Sequence, residues 1–395
     1  MTGSTRVLVV SHDAGRQGAP MVMLEMLRWF QANTEIESEV VLHMGGPLRP
    51  LLDEVARTTV LNPYLGSSRT TARIARRLAS PVFLDRVLAL RLRRRLQRRN
   101  FDVIWANSVA SWRALDALAL RDVPRVLHVH ELEYTIRQIG PPPGRLASMA
   151  DHFIAASNAV RENVVQGHGV PTDRVTVAYS SVPNISVEIP DSSSRKEGRA
   201  GWGIGPDDFV IVGCGAGGYL KGIDLLPALL RVLCRERDVP TMHLIWVGHV
   251  AEDIQELLLM DLEKHGVENA LHFAGEVDDP RSLFCLGDVF VLPSREEALG
   301  LVCLEAAQCG LPTMCFADAG GAPEFVGDDA GCIVPYLDVE ALADAIAGLC
   351  QNPELRSRLG RCAREKVAAR FTIDSQAPRL AEVLKNVASR TPTSG

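Results

Sequence analysis

Short apolar runs bounded by turn residues recur along the whole chain, with helical patterns between them. In the first half they are Arg6–Ser11, Glu39–His43, Thr58–Leu61, Asp102–Ala106, Arg125–His130, His152–Ala156 and Arg174–Tyr179. In the second half they are Asp208–Gly213, His243–Val247, Leu271–Phe273, Asp288–Leu292, Thr313–Phe316 and Gly331–Val334. Continuous apolar strands, as opposed to alternating ones, belong to parallel sheets covered on both faces. Strand–helix alternation therefore predicts an α/β chain with two doubly wound parallel sheets, one in each half. Composition changes from Val182 to Gly205, where Pro183, Pro190 and Asp191-Ser-Ser-Ser194 read as a linker and domain entrance.

The densest chemistry follows the strand Asp288–Leu292. A polar turn, Ser294–Arg295–Glu296–Glu297, leads into a predicted helix from Gly300 to Cys309. In open α/β sheets, ligands sit outside the carboxyl ends of strands, where such turns lie. The first free amides of that helix, at Gly300–Leu301–Val302, point into the crevice and suit an anion such as phosphate. Glu305 lies roughly 7–8 Å along the helix axis, and Glu297 stands eight positions ahead of it. One turn thus offers amides for a phosphate and two carboxylates for hydroxyls.

Glu297 and Glu305 with seven residues between them, Pro293-Ser294 before and Cys309-Gly-Leu-Pro312 after resemble the signature of the family-four retaining glycosyltransferases. Gly320-Gly-Ala-Pro-Glu-Phe-Val326 and Ala330-Gly-Cys-Ile-Val334 follow in the same order. The departure is Ala298-Leu299, where that family usually has Gly-Phe. The resemblance implies a GT-B-like architecture, two Rossmann-like domains facing across a cleft. Residues 1–185 are then the acceptor-side domain and 186–370 the nucleotide-sugar-binding domain. Residues 371–395 form a helix returning to the first domain, with a tail frayed from Ser389. It also implies transfer of a hexosyl-type sugar, with retained configuration and without a metal, from a nucleoside diphosphate sugar to a hydroxyl acceptor. The acceptor class includes glycans, lipid-linked acceptors and small glycosides. The nucleotide sugar is a co-substrate, and no cofactor is expected.

Arg6–Ser11 runs into His12–Pro20, where Gly15, Arg16 and Gly18 resemble the family's first loop against donor or acceptor; a plain strand–turn–helix connection is the simpler reading. Val126–Glu131 sets His128 and His130 on one strand face; the resemblance puts His130 near the donor sugar, while His128 reads as structural. Ser157 reads equally as a helix cap. Gly213-x-Gly215-x-x-Gly218 matches a dinucleotide fingerprint, but Tyr219–Gly222 intervenes before the next helix and no acid closes the following strand. Lys221-Gly222 fits the family's Lys-Gly element better, with the lysine on the donor diphosphate and Gly217 in a loop that lets phosphate approach. The arginine usually found about six positions earlier is missing; either Arg16 or Arg295 substitutes, or the diphosphate is held by fewer charges. Glu297, His130 and Lys221 are thus the expected catalytic set. Gly15, Arg16, Gly18, Gly217, Lys221, Gly300, Leu301 and Glu305 are the expected donor contacts. The competing functions are a nicotinamide-dependent oxidoreductase and a catalytically inactive nucleotide-sugar binding protein.

Composition narrows the partners. The 395 residues are 47% hydrophobic with net charge −6, which gives no electrostatic case for nucleic acid. Val7–Ser11 is too short for a signal-peptide core, and nine cysteines scattered from Cys214 onward, without Cys-x-x-Cys, read as reduced cytoplasmic thiols and no zinc site. Against the acidic balance, eleven arginines and one acid, Asp85, lie between Arg69 and Arg99. Leu84, Leu88, Leu92 and Leu96 form a stripe there, with Arg91, Arg94, Arg95 and Arg98 crowding the other side and Arg73, Arg76 and Arg77 nearby. Arg86–Arg99 can contact the inner face of a membrane weakly, although packing the stripe on the sheet leaves no apolar face for lipid.

Overall fold

The computed structural model describes residues 4–16, 18–65 and 81–389. Arg69, Arg73, Arg76 and Arg77 of the basic segment, and the tail beyond Ser389, lie outside the described residues. The chain divides into two compact units, Met1–Pro183 with Ile373–Gly395, and Asn184–Thr372.

The first unit holds seven strands: β1 (Thr5–Ser11), β2 (Ile36–Leu42), β3 (Arg57–Val60), β4 (Val103–Asn107), β5 (Arg125–Val129), β6 (His152–Ala155) and β7 (Val175–Val177). Their order is β3-β2-β1-β4-β5-β6-β7, and every pairing is parallel. The second unit holds β8 (Phe209–Cys214), β9 (Met242–Val247), β10 (Leu271–Gly275), β11 (Val289–Leu292), β12 (Thr313–Phe316) and β13 (Gly331–Val334). Its order is β10-β9-β8-β11-β12-β13, again all parallel. Both are Rossmann-like doubly wound sheets. In each, the chain lays strands to one side of its first strand and then crosses to the other. The break falls between β1 and β4 in the first sheet, and between β8 and β11 in the second. Loops diverge at that break, so it is where an open α/β sheet forms a crevice.

Burial explains the unbroken apolar strands. Val7–Val10, Val103–Ala106, Val210–Val212 and Val289–Val291 are buried on both faces. Trp105 packs edge-on to Phe30 at 6.0 Å in the first core. Trp246 lies in the second, where a Cβ on Gly213 would meet its ring at 2.8 Å. That packing, not pyrophosphate approach, accounts for the first glycine of the fingerprint. Two single-turn 3-10 elements, Tyr219–Lys221 and Ile223–Leu225, precede the helix Leu226–Glu236, so the helix start needed by a dinucleotide is absent there.

Two expectations need correction. The linker contains a helix, Ser192–Ala200, because Asp191 caps it through Ser194 N at 2.8 Å. The polar cluster that reads as a loop is a helix start. Arg195 and Arg199 of that helix grip Asp288, at 2.9 and 2.7 Å. The basic helix Pro81–Gln97 also departs from a plain two-sided pattern. Leu92 and Leu96 are buried as expected. Asp85, its lone acid, is buried too, bonded to His43 at 2.9 Å and Asn62 at 2.6 Å. Arg95 is not part of a free arginine face; it pairs with buried Glu39 of β2 at 2.7 Å, and Arg99 joins it at 3.1 Å. The outer face is not purely charged either: Val87 and Leu90 are 47% and 56% exposed between arginines.

Candidate functional site

In the second unit the candidate residues converge on the break between β8 and β11. Lys221 lies on the 3-10 turn after β8, and Glu297 in the turn after β11. Lys221 Nζ donates to Glu297 Oε2. Burial opposes the charge on Lys221, but Glu297 outweighs it and holds the ammonium above the usual lysine range. An ammonium carries three donors, so two remain for another acceptor. Backbone contacts lock the two turns together. Arg295 N donates to Leu220 O at 2.8 Å, and a Cβ on Gly222 (φ +68°) would strike Pro293 O at 1.9 Å. Glycine at 222 is therefore required by the approach of the two loops. Glu297 is fixed on its other side by Glu297 N to Ala319 O, 2.7 Å, and Gly321 N to Glu297 O, 2.9 Å. The Gly320–Val326 stretch of the sequence pattern thus braces Glu297.

The helix Leu301–Gln308 begins beside that carboxylate. Gly300, its cap, has φ +86°, and no side chain caps the helix. A Cβ at 300 would press on Glu297 Cγ at 3.3 Å and Leu292 at 3.1 Å. The positive end of the helix is left to its backbone amides at Leu301 and Val302. Leu299, at the position that departs from the usual family residue, is buried. Glu305 projects from the next turn with its side chain 23% exposed, 3.8 Å from Arg281. Burial pushes its carboxyl up to about 7, with Arg281 opposing and Asp279 adding to the rise. Cys214, at the end of β8, feels both groups: burial and then Glu305 raise its thiol to about 12, against Lys221. Gly217 packs its backbone against Val250, where a Cβ would come within 2.7 Å.

Arg295, one of the two candidates for the missing arginine, is engaged within the second unit. Its guanidinium makes a two-pronged pair with Asp224 at 2.7 and 2.8 Å, bonds Tyr219 O and stacks on the Tyr219 ring at 3.8 Å. It braces the Lys221 turn.

The first unit has a second polar cluster, at its own break in strand order. His130 follows β5. Its Nε2 is 3.0 Å from Asn107 Oδ1, and Asn107 Nδ2 donates to Ala19 O at 3.0 Å. Asn107 therefore accepts through Oδ1, which fixes His130 as the Nε2–H tautomer and leaves Nδ1 as an acceptor. Burial first, then neighbouring His128 and His12, hold His130 well below the ordinary histidine range, so it is neutral. His128 stacks on it at 3.9 Å, with both ring nitrogens buried and without partners among the described residues; burial takes it down to about 3.

Asn107, Ser108 and Glu131 belong to this cluster and were not singled out from the sequence. Glu131 accepts from Ser108 Oγ, His130 N at 2.9 Å and Val109 N at 3.4 Å. Burial nonetheless raises its carboxyl. Ser108 adopts φ +79°, unusual for serine. The signal available was position alone: Asn107 ends β4, Ser108 follows it, and Glu131 comes two residues after neighbouring β5. Gly15 donates to Asp13 Oδ1 at 3.0 Å, and Arg16 beside it is exposed. A Cβ on Gly18 would meet nothing within 4 Å, so packing does not demand that glycine. Ser157 caps the helix Asn158–Glu162 through Val160 N at 3.1 Å, the simpler of its two readings.

Among the described residues no group of three or more His, Cys, Asp or Glu is arranged to hold a metal ion. None of the described helices is long and apolar enough to cross a membrane.

Comparison with known proteins converges on one family. Residues 17–183 match the family described as Glycosyltransferase Family 4, and residues 194–366 match Glycosyl transferases group 1. The D-inositol 3-phosphate glycosyltransferase of Saccharomonospora viridis is 29% identical over 58% of this chain, a match spanning about half (54%) of that protein. A GDP-mannose-dependent alpha-(1-6)-phosphatidylinositol monomannoside mannosyltransferase of Mycolicibacterium smegmatis is 25% identical over 80% of this chain and 85% of its own. An Anabaena protein solved with UDP and glucose shares the fold, with TM-score 0.77 and 20% identity over 97% of this chain and 100% of that one. With a match on each half and the double parallel-sheet architecture, the chain belongs to the family-four, GT-B-type glycosyltransferases.

Proposed function

We propose that the chain transfers a sugar from a nucleoside diphosphate sugar to a hydroxyl acceptor, with retained anomeric configuration and without a catalytic metal. The observation that carries this is the Lys221–Glu297 pair beside the uncapped start of the helix Leu301–Gln308. In this reading the second unit binds the nucleotide sugar and the first binds the acceptor. The bond from the anomeric carbon to the diphosphate oxygen breaks, leaving charge on the diphosphate and an oxocarbenium-like sugar. Lys221 and the amides at Leu301 and Val302 stabilise that leaving group electrostatically. The acceptor hydroxyl attacks the same face, and its proton passes to the departing phosphate oxygen. Glu297 orients the donor sugar hydroxyls, Glu305 bonds the ribose hydroxyls, and neutral His130 accepts from a sugar hydroxyl through Nδ1. Gly15, Arg16, Gly18 and Gly217 border the donor. The relatives' printed names, which include inositol phosphate and phosphatidylinositol mannoside acceptors, favour polyol acceptors that are free or lipid-linked.

The test is incubation with a panel of nucleoside diphosphate sugars in EDTA, followed by NMR of the product. A product with the donor's configuration is expected. An inverted product, or activity strictly dependent on added divalent metal, overturns the mechanism.

A second reading, peripheral contact of Arg86–Arg99 with an anionic membrane, is favoured by the exposed Val87 and Leu90 among Arg91, Arg94 and Arg98. Each arginine near anionic lipid contributes about 1 kcal/mol, enough together for salt-sensitive adsorption. Sedimentation with phosphatidylglycerol vesicles at low salt should carry the protein down, and Leu90→Glu should release it. Protein that stays in the supernatant refutes this contact.

A further inference from the structure

At the opposite end of the first sheet from His130 lies a groove of about 700 Å³ that the glycosyl-transfer reading does not use. It is bounded by the residues that lead into β5, β6 and β7 and by the start of the basic helix. Five arginines line it, Arg86, Arg121, Arg125, Arg145 and Arg174, against two acids, Asp116 and Asp151. The formal excess is three positive charges in a chain whose net charge is −6. The concentration is therefore local.

The arginines divide into two kinds. Arg145 and Arg174 build the walls. Arg145 makes a two-pronged pair with Asp116, 3.0 Å on each side. Arg174 bonds the carbonyl oxygens of Ala150 and of Asp151, the latter at 2.9 Å, and lies over the Phe153 ring. The other three keep donor capacity. Asp151 takes the backbone amide of Arg125 at 2.8 Å, not its guanidinium, which reaches only Leu120 O at 3.2 Å. Arg86 and Arg121 have no ion pair or hydrogen bond among the described residues. Burial first lowers the affinity of Arg125 for its proton; Asp151 and Asp116 oppose this, and Arg121 adds like-charge repulsion. Three arginines, from the basic helix, the turn before β5 and the start of β5, thus line one groove with little internal compensation. Guanidinium forks match phosphate oxygens in pairs, and an anion there relieves the repulsion. The volume falls within the range of small-molecule sites. Met149 and Ala150, both buried, form part of a concave lining, a shape suited to a solute more than to a flat surface.

We propose that this groove binds a small solute bearing two or more phosphates, held by Arg86, Arg121 and Arg125, at a site separate from the one where sugar transfer takes place. β5 runs from Arg125 to Val129, so roughly 16 Å of strand separates Arg125 from the His130 cluster. An occupant of the groove leaves the His130 cluster free.

The experiment is calorimetric titration of the full chain with inorganic tripolyphosphate at low ionic strength. It is carried out on a Lys221→Ala background so that the second unit's lysine takes no part, whatever that lysine does. One tripolyphosphate per chain is expected, together with a rise in melting temperature. Combined Arg86→Ser and Arg121→Ser should weaken binding at least tenfold. Combined Arg94→Ser and Arg98→Ser, exposed on the same helix, should change it less than twofold. The proposal is overturned if tripolyphosphate does not bind, or if both pairs of substitutions weaken it equally, the mark of diffuse adsorption. It is also overturned if the chain ignores tripolyphosphate but sediments with phosphatidylglycerol vesicles in an Arg86- and Arg121-dependent way. That pattern assigns the arginines to a lipid surface.

Discussion

The two units share strand order to the sixth strand, yet the chemistry at their breaks is opposite. In the second, the loops after β8 and β11 bring together a charged lysine, a paired carboxylate and an uncapped helix start. In the first, the loops after β4 and β5 hold one histidine, His130, kept neutral by burial, and a carboxylate, Glu131, closed in by three donors. The same topology decides where a crevice forms. What it can do depends on a few loop residues and on how far their charges are compensated. A charged crevice suits an anionic leaving group, and a neutral hydrogen-bonded one suits hydroxyls.

Removing the charge from the second unit should have the largest effect. Lys221→Ala should lower kcat/KM at least about a hundredfold, as loss of a group on a developing anion does. It should also weaken nucleoside diphosphate binding. Full activity would remove the lysine from the mechanism and erase the contrast. Glu297→Gln should reduce turnover by roughly tenfold to a hundredfold, the worth of a charged hydrogen bond, while nucleoside diphosphate affinity stays within about twofold. Equal losses in binding and turnover would place Glu297 on the nucleotide instead.

Glu305 gives the next effect, and it depends on pH. Its carboxyl sits at about 7 against an ordinary 4.5. Between those values the folded chain keeps a proton that the unfolded chain has lost, so stability falls as pH rises through the window and stays lower above it. Glu305→Gln should abolish that slope and raise stability above pH 7 by roughly 1–3 kcal/mol, with less difference at low pH. The same change should weaken nucleoside diphosphate binding about tenfold at high pH, because the ionised carboxylate is the better acceptor for ribose hydroxyls. Matched pH series of melting temperature and calorimetric affinity check both signs. The smallest effect belongs to the first unit. His128→Leu removes two unsatisfied buried nitrogens and should stabilise the fold by about 1 kcal/mol, read as a small upward shift in Tm. A loss of stability would mean the ring has a polar role there.

The central strands were legible because β1, β4, β8, β11 and β12 are apolar runs buried almost throughout, a signal that survives without knowledge of neighbours; the flanking β3, β7 and β10 are only partly buried and were legible from the strand–helix alternation around them. The Lys221 and Glu297 turns were legible because glycine, proline and charge cluster where strands end. Residues whose role depends on a distant partner were not. Asp85 stands alone in an arginine-rich helix, and only His43 and Asn62, brought in from the segments after β2 and β3, show that it is an internal anchor. Arg295 reads as a free cation until Asp224 is folded against it. Ser108 and Glu131 carry no motif; a serine at φ +79° is visible only in the backbone itself. Asp191 looked like loop punctuation because cap and loop residues are the same types.

The first unit is closed by a helix that follows the whole second unit in the chain. Ile373–Ala388 packs on the helix Gly18–Asn33 and against β4 and β5, with Ile373 N bonded to Val182 O at 2.9 Å. Between β7 and that helix the ribosome must make Asn184–Thr372, which takes roughly 10–40 s at ordinary synthesis rates. During that interval the apolar seat of Leu380 and Leu384, both fully buried in the finished protein, stays uncovered. The second unit, whose chain is continuous, can complete its core first. Chains shortened before Ile373 should therefore aggregate through the first unit, although every strand of both sheets is present.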